Sequence, residues 1–221
     1  MEDVRTNLER VRERIARAAE RSGRRPEEIL LVGVSKTVPA ERVREAIEAG
    51  IPALGENRVQ EATLKISVLG RPVPWHLIGH LQTNKVKDAL ELFDVIQSVD
   101  RIPLALELSR RATRQLEVLA EINLGEEPSK TGFAPAEVKR AIDTIAGLPG
   151  LRLRGLMAIP PSVTAPEEAR RWFRALRELR DQVGLAELSM GMSADLEVAI
   201  EEGATMVRVG TAIFGERARR P

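Results

Sequence analysis

The sequence predicts an α/β protein of the (β/α)8, or TIM-barrel, class, read as a single domain over residues 1–221 with an extra N-terminal helix. Three observations predict it. Eight short aliphatic runs alternate with stretches of helical periodicity between Ile29 and Phe214. No linker or shift of composition interrupts them. Polar residues and glycines gather just after the carboxyl ends of the runs, whereas the opposite ends carry little beyond Pro, Gly and ordinary charge. Regular βα alternation implies parallel strands joined by right-handed crossovers. An open doubly wound sheet is the alternative architecture.

Residues 2–22 read as an amphipathic helix, with Val4, Leu8, Val11, Ile15, Ala18 and Ala19 at helical spacing and Ser22-Gly23 ending it. The first strand is 29–36, apolar until Lys36. Pro39 opens a helix over 39–49, and Gly50 closes it. A short second strand at 51–55 leads into Glu56-Asn57-Arg58 and a helix through Val59, Ala62, Leu64 and Ile66. The third strand is 75–80, followed by a helix at 84–92; the fourth is 94–99, followed by a helix at 101–114. The fifth strand is 116–124, with a polar loop at 125–132 and a helix at 135–147. The sixth is 151–159, closed by Pro160-Pro161, with a helix at 166–182. The seventh is 187–192 with a helix at 194–202, and the eighth is 206–214. No outer helix follows the eighth strand, so the N-terminal helix is expected to cover that gap.

Composition narrows the partners. The chain has 43% hydrophobic residues and a near-balance of 34 basic against 33 acidic residues. A net charge of +1 gives no electrostatic case for nucleic acid. There is no cysteine, so neither a disulfide framework nor a thiolate metal site is available. No apolar run reaches the length of a membrane span, and the first twenty residues hold no apolar leader segment. A soluble cytoplasmic protein is expected. There is no tyrosine, and the histidines are His76 and His80.

In a barrel of this class the site lies at the carboxyl ends of the strands. The first strand ends in Lys36. A lysine held among apolar strands loses hydration, which favours the free amine, a nucleophile toward carbonyl groups. The alternative is a lysine that snorkels to solvent. Ser189 to Ser193 and Val209-Gly210-Thr211 follow strands seven and eight, where such barrels often bind phosphate. Gly191 and Gly210 let backbone approach an anion, and Ser193 precedes a helix. The plainer reading is an N-cap serine and two turn glycines. Arg208 lies inside the eighth strand; it points either inward, where burial is costly without a partner, or outward to a helix. His80 is a candidate acid or base. The even spacing from His76 predicts that both histidines share one strand face, although no third His or Cys is present to complete a metal site.

Five blocks then agree in type and order: 33–37 (GVSKT), 55–61 (GENRVQE), 75–85 (WHLIGHLQTNK), 189–195 (SMGMSAD) and 206–215 (MVRVGTAIFG). Together, from about residue 29 to 215, they resemble the YggS/PROSC family, the pyridoxal phosphate homeostasis proteins. The resemblance implies a barrel similar to the N-terminal domain of fold-type III enzymes such as alanine racemase. It implies that Lys36 carries pyridoxal 5′-phosphate (PLP) as a Schiff base. Ser193, Gly210 and Thr211 would hold the phosphate, with Met192 beside them. Arg208 would face the pyridine nitrogen, and Asn57 and His80 would line the ring pocket. Lys130 resembles a lysine linked to a second, weaker cofactor contact.

An arginine at the pyridine nitrogen keeps it unprotonated and makes the cofactor a weaker electron sink. Racemisation needs two bases, and alanine racemase takes its second from a tyrosine that this chain lacks. The expected function is therefore PLP homeostasis without robust catalysis, with PLP and PLP-requiring apoenzymes as partners, in a monomer. Two alternatives are a PLP-dependent racemase using Lys36 and His80, and a Schiff-base aldolase.

Overall fold

The computed structural model describes residues 3–215. Eight strands form a closed barrel in chain order: β1 (Leu30–Val34), β2 (Ala53–Glu56), β3 (Trp75–Leu77), β4 (Val95–Val99), β5 (Leu116–Glu121), β6 (Leu151–Met157), β7 (Glu187–Ser189) and β8 (Met206–Val209). Each neighbouring pair is parallel, and β1 closes on β8 with Val32 opposite Arg208. The open-sheet alternative is excluded by this closure. The α-helices of the described residues are α1 (Val4–Arg21), α2 (Ala40–Glu48), α3 (Val59–Leu69), α4 (Val86–Leu92), α5 (Ile102–Arg111), α6 (Val138–Ala146), α7 (Arg170–Gln182), α8 (Leu196–Glu201) and α9 (Thr211–Phe214).

Two cores follow from the alternation of side chains along each strand. The outer faces of the strands pack on the helices in one large apolar cluster that includes Trp75, Phe93, Leu104 and Phe173. The inner faces make a small separate cluster of Val95, Leu119, Met157 and Met206, against which Leu30 packs. One layer higher, toward the carboxyl ends, the interior turns polar, with His76, Gln97, Ser189 and Arg208 all buried. Gly55 keeps this layer compact: a Cβ there would lie 3.0 Å from Val32 Cγ1 and 3.2 Å from Ile78 Cδ1.

The N-terminal helix takes the place expected of it. Its apolar stripe, Val4, Leu8, Val11, Ile15, Ala18 and Ala19, is buried, and α1 packs on α2, α8 and α9. Asn7, on the same stripe, donates from Nδ2 to Ile213 O at 3.1 Å.

Every strand is shorter than the hydrophobic run that predicted it, mostly at the carboxyl end. The eighth run shows why. Residues 206–209 are strand, but Thr211–Phe214 turns into a helix that buries Ile213 and Phe214. A short apolar run has no periodicity that separates strand from helix. The third strand ends at Leu77, so His80 lies in the loop beyond it, not on a shared strand face with His76.

Candidate functional site

A cavity of about 350 Å³ opens at the carboxyl ends of the strands, within the size range of small-molecule sites. Lys36, Asn57, Met192, Ser193, Arg208, Gly210 and Thr211 all line it, together with apolar walls from Val34, Val38, Ile78 and Ile159. Seven of the eight residues that the resemblance assigns to the main cofactor site thus meet in one place, all but His80.

Lys36 sits on a turn held from below. Ser35 Oγ donates to Glu56 Oε1 at 2.7 Å, and Lys65 Nζ donates to both Ser35 O and Glu56 Oε1. Glu56 is fully buried, and burial pushes its carboxyl up while the Lys65 ammonium and the Ser35 hydroxyl oppose the shift. On the other side of Lys36, Thr37 has φ 61°, a left-handed conformation that costs energy in a β-branched residue. Its N–H donates to Glu61 Oε2 at 3.0 Å, which holds the turn in place. Lys36 itself is half-buried, and its Nζ has no hydrogen bond or ion pair among the described residues. Asn57 follows Glu56 directly and donates its N–H to Glu56 Oε2 at 3.3 Å. Gly79 permits the Asn57 backbone to pass, because a Cβ there would lie 2.4 Å from Asn57 O.

The opposite wall comes from the segments after β7 and β8. Gly191 has φ 89°, where a side chain would be strained. Asp195 Oδ1 accepts from Met192 N at 2.6 Å, and Ser193 Oγ accepts from Ala212 N at 3.2 Å, so the two segments are tied together. A Cβ on Gly210 would lie 3.3 Å from Val34 O. Arg14 reaches in from α1, donating to Ser193 O at 2.9 Å and pairing with Glu197.

Arg208 points into the barrel, which excludes the outward orientation. It is 3% exposed, and its guanidinium donates to Ser189 Oγ at 2.6 Å and to Ala158 O at 2.8 Å. Burial pushes it down to about 10, opposed by Glu121 and Asp195, so it remains charged at neutral pH. No carboxylate among the described residues touches it.

His80 stands outside the cavity lining. Its Nδ1 lies 2.6 Å from Asp100 Oδ2, and its side chain is 46% exposed. His76 instead faces Gln97 in the barrel interior. The two imidazoles share no partner. Lys130 is also outside the lining; its Nζ pairs with Glu127 at 2.6 Å and donates to Pro160 O. The reading of the sequence missed the Glu56–Lys65 pair. A signal for it was present: Lys65 sits three residues after Ala62 and six after Val59, on the buried stripe of α3.

Residues 6–218 match the alanine racemase N-terminal domain family. A pyridoxal phosphate homeostasis protein of Aquifex aeolicus is 48% identical over 220 residues, covering 95% of this chain and 96% of that protein. The chain belongs to the pyridoxal phosphate homeostasis protein family. Among solved structures, PipY of Synechococcus elongatus, in a structure with PLP bound, superposes with a TM-score of 0.81 at 38% identity, covering 91% of this chain and all of that one. The fold extends further. Alanine racemase of Clostridium difficile superposes at a TM-score of 0.75 with 17% identity, over 97% of this chain and 57% of the racemase. Relatives of this chain in the pyridoxal phosphate homeostasis protein family carry the name of a homeostasis role and not of an enzyme.

Proposed function

We propose that this chain binds PLP in the Lys36 cavity and acts in intracellular PLP homeostasis, holding the cofactor without robust turnover of its own. In the same reading the whole chain is one PLP-binding unit, monomeric and cytoplasmic, with PLP-requiring apoenzymes as recipients. The observation that carries it is the meeting of three unlike groups around one cavity: the Lys36 amine, the buried Arg208 guanidinium, and the hydroxyls of Ser193 and Thr211. The donor set fits the cofactor's three polar ends, and the apolar walls at Val34, Val38 and Ile78 suit an aromatic ring. The PLP named in the bound structure of PipY supports the same choice of ligand.

When bound, PLP supplies an electrophilic aldehyde carbon and a conjugated ring that accepts electrons. Lys36 would hold it covalently through its amine. Ser193, Thr211 and the backbone at Gly210 would hold the phosphate, and Met192 and Asn57 would flank the ring. Arg208, charged at neutral pH and lacking a carboxylate partner, would meet the pyridine nitrogen and keep a proton off it. That arrangement weakens the ring as an electron sink and favours holding over turnover. The racemase alternative also needs a second base at the cavity. The chain has no tyrosine, and His80, held by Asp100, does not line the cavity.

The test is direct. Purified protein incubated with PLP and reduced with borohydride should gain the mass of one reduced cofactor on the peptide containing Lys36, and Lys36→Ala should gain none. The same preparation is then assayed for D-product from several L-amino acids. Turnover that Lys36→Ala abolishes would sink the holding reading in favour of a racemase. A protein that takes up no PLP would remove both.

A further inference from the structure

Beneath the cavity, four buried side chains from four strands form one line of hydrogen bonds across the barrel. Arg208 on β8 donates to Ser189 Oγ on β7 at 2.6 Å. Ser189 Oγ donates to Gln97 Oε1 on β4 at 2.5 Å. Gln97 Nε2 lies 2.7 Å from His76 Nδ1 on β3. None of the four is more than 3% exposed.

The line can run in one direction only. A guanidinium has donors and no acceptor, so Ser189 must accept from it and has a single proton left to give. That proton goes to Gln97, which must then present its oxygen to Ser189 and its NH2 to the imidazole. His76 must therefore keep Nδ1 bare and carry its proton on Nε2. A proton on Nδ1 would face the Gln97 NH2; turning the amide over to receive it would aim that NH2 at Ser189 and strand the serine proton. Burial pushes the His76 imidazolium down to about 4, with Asp94 opposing, so the ring is neutral at neutral pH, and the hydrogen-bond line then selects the tautomer with Nδ1 bare. At the other end, Glu121 and Asp195 act on Arg208 from a distance, and Ala158 O takes a second N–H. Orientation of the guanidinium is thus left to neutral acceptors, because no carboxylate among the described residues touches it.

We propose that Ser189, Gln97 and His76 are positioning residues for Arg208: their one-way hydrogen-bond line fixes how its guanidinium meets the Lys36 cavity, and so keeps a proton off a pyridine nitrogen seated there. The second clause rests on the PLP reading; the first does not.

Two measurements separate them. In cofactor-free protein, nitrogen NMR of labelled histidine sees two rings, and His80→Asn removes one. His76 should be neutral with its proton on Nε2 down to about pH 5, and Gln97→Leu should shift its nitrogen signals. A wild-type Nδ1 proton would overturn the line itself. In PLP-loaded protein, the wild type should hold one absorption maximum from about pH 6 to 8. Gln97→Leu should give a maximum that moves with pH in that interval, as a freed ring nitrogen begins to titrate. Release of PLP should accelerate on the order of tenfold, the effect of losing one hydrogen bond to a charged group. Ser189→Ala, which removes one oxygen, is the second variant should the first fail to fold. If folded variants keep wild-type absorption and release, the positioning role is overturned. If the wild type takes up no PLP, the cofactor reading and the ring-nitrogen clause fall together, while the tautomer still decides the line.

Discussion

His76 is a titratable ring sealed among strands, and that couples the fold to pH. Burial holds it at about 4 against an ordinary 6.5. Between those values the unfolded chain takes up a proton that the folded barrel refuses. This contribution to stability is therefore complete above pH 6.5 and is lost as pH falls through the window toward 4. The full loss is about 3 kcal/mol. Urea midpoints measured in steps from about pH 7 to 4 should fall for the wild type, and His76→Phe should show a distinctly shallower slope. Parallel slopes would refute the assignment. At the opposite wall, Ser193→Ala combined with Thr211→Ala should weaken retention of PLP far more than of plain pyridoxal. Equal loss of both would contradict the phosphate seat. These two sites differ in how far the sequence discloses them. Lys36, Ser193 and Gly210 stand at strand ends, where a residue out of keeping with its apolar run is visible. The bond from Gln97 to Ser189 joins strands 92 positions apart, and only barrel closure and register bring them together.

Among the elements, α3 does more than pack on β2. Glu61 and Lys65 lie one turn apart on it and hold the Lys36 turn from both sides, at Thr37 N and Ser35 O. Lys65→Met keeps the length of the side chain but leaves the Glu56 carboxyl buried without its cation. Breaking one half of a buried pair costs about 3–5 kcal/mol. Chemical denaturation should show a loss of that size, and borohydride trapping at Lys36 should slow in whatever fraction stays folded. A loss within error of zero would mean that the pair does not act as drawn. Element order was readable as far as β8, because helical stripes and aliphatic runs alternate; the helix at Thr211–Phe214, read as the end of a strand, was not. Nor were strand ends. The runs at 187–192 and 206–214 continue past their strands because Met190, Ile213 and Phe214 are buried for other reasons, in the loop after β7 and in α9.

For the molecule as a whole, α1 fills the place in the outer layer of helices between α8 and α2. It lies against α8, α9 and α2; Asn7 ties it to Ile213 O in α9, and Arg14 carries it to the cavity wall through Ser193 O. Asn7→Ala should cost about 1–2 kcal/mol, since a buried carbonyl loses its donor, and differential denaturation of the two proteins would measure it. An unchanged midpoint would show that water replaces the amide at no cost. The expectation that this helix covers the gap after β8 came from counting elements, and packing in the barrel bears it out. What counting did not reveal is that the same helix ties down Ser193.

The pairing of β1 with β8 sets a schedule for the chain during its synthesis. Lys36 lies on the turn just after the first strand; Arg208 and Thr211 lie on and after the last. At about 5–20 residues per second, a ribosome adds Thr211 roughly nine to thirty-five seconds after Lys36. Until then the nascent chain presents an amine with no opposite wall. A growing chain therefore has no complete seat in which to retain a phosphorylated aldehyde, and capture becomes a mark of a finished barrel.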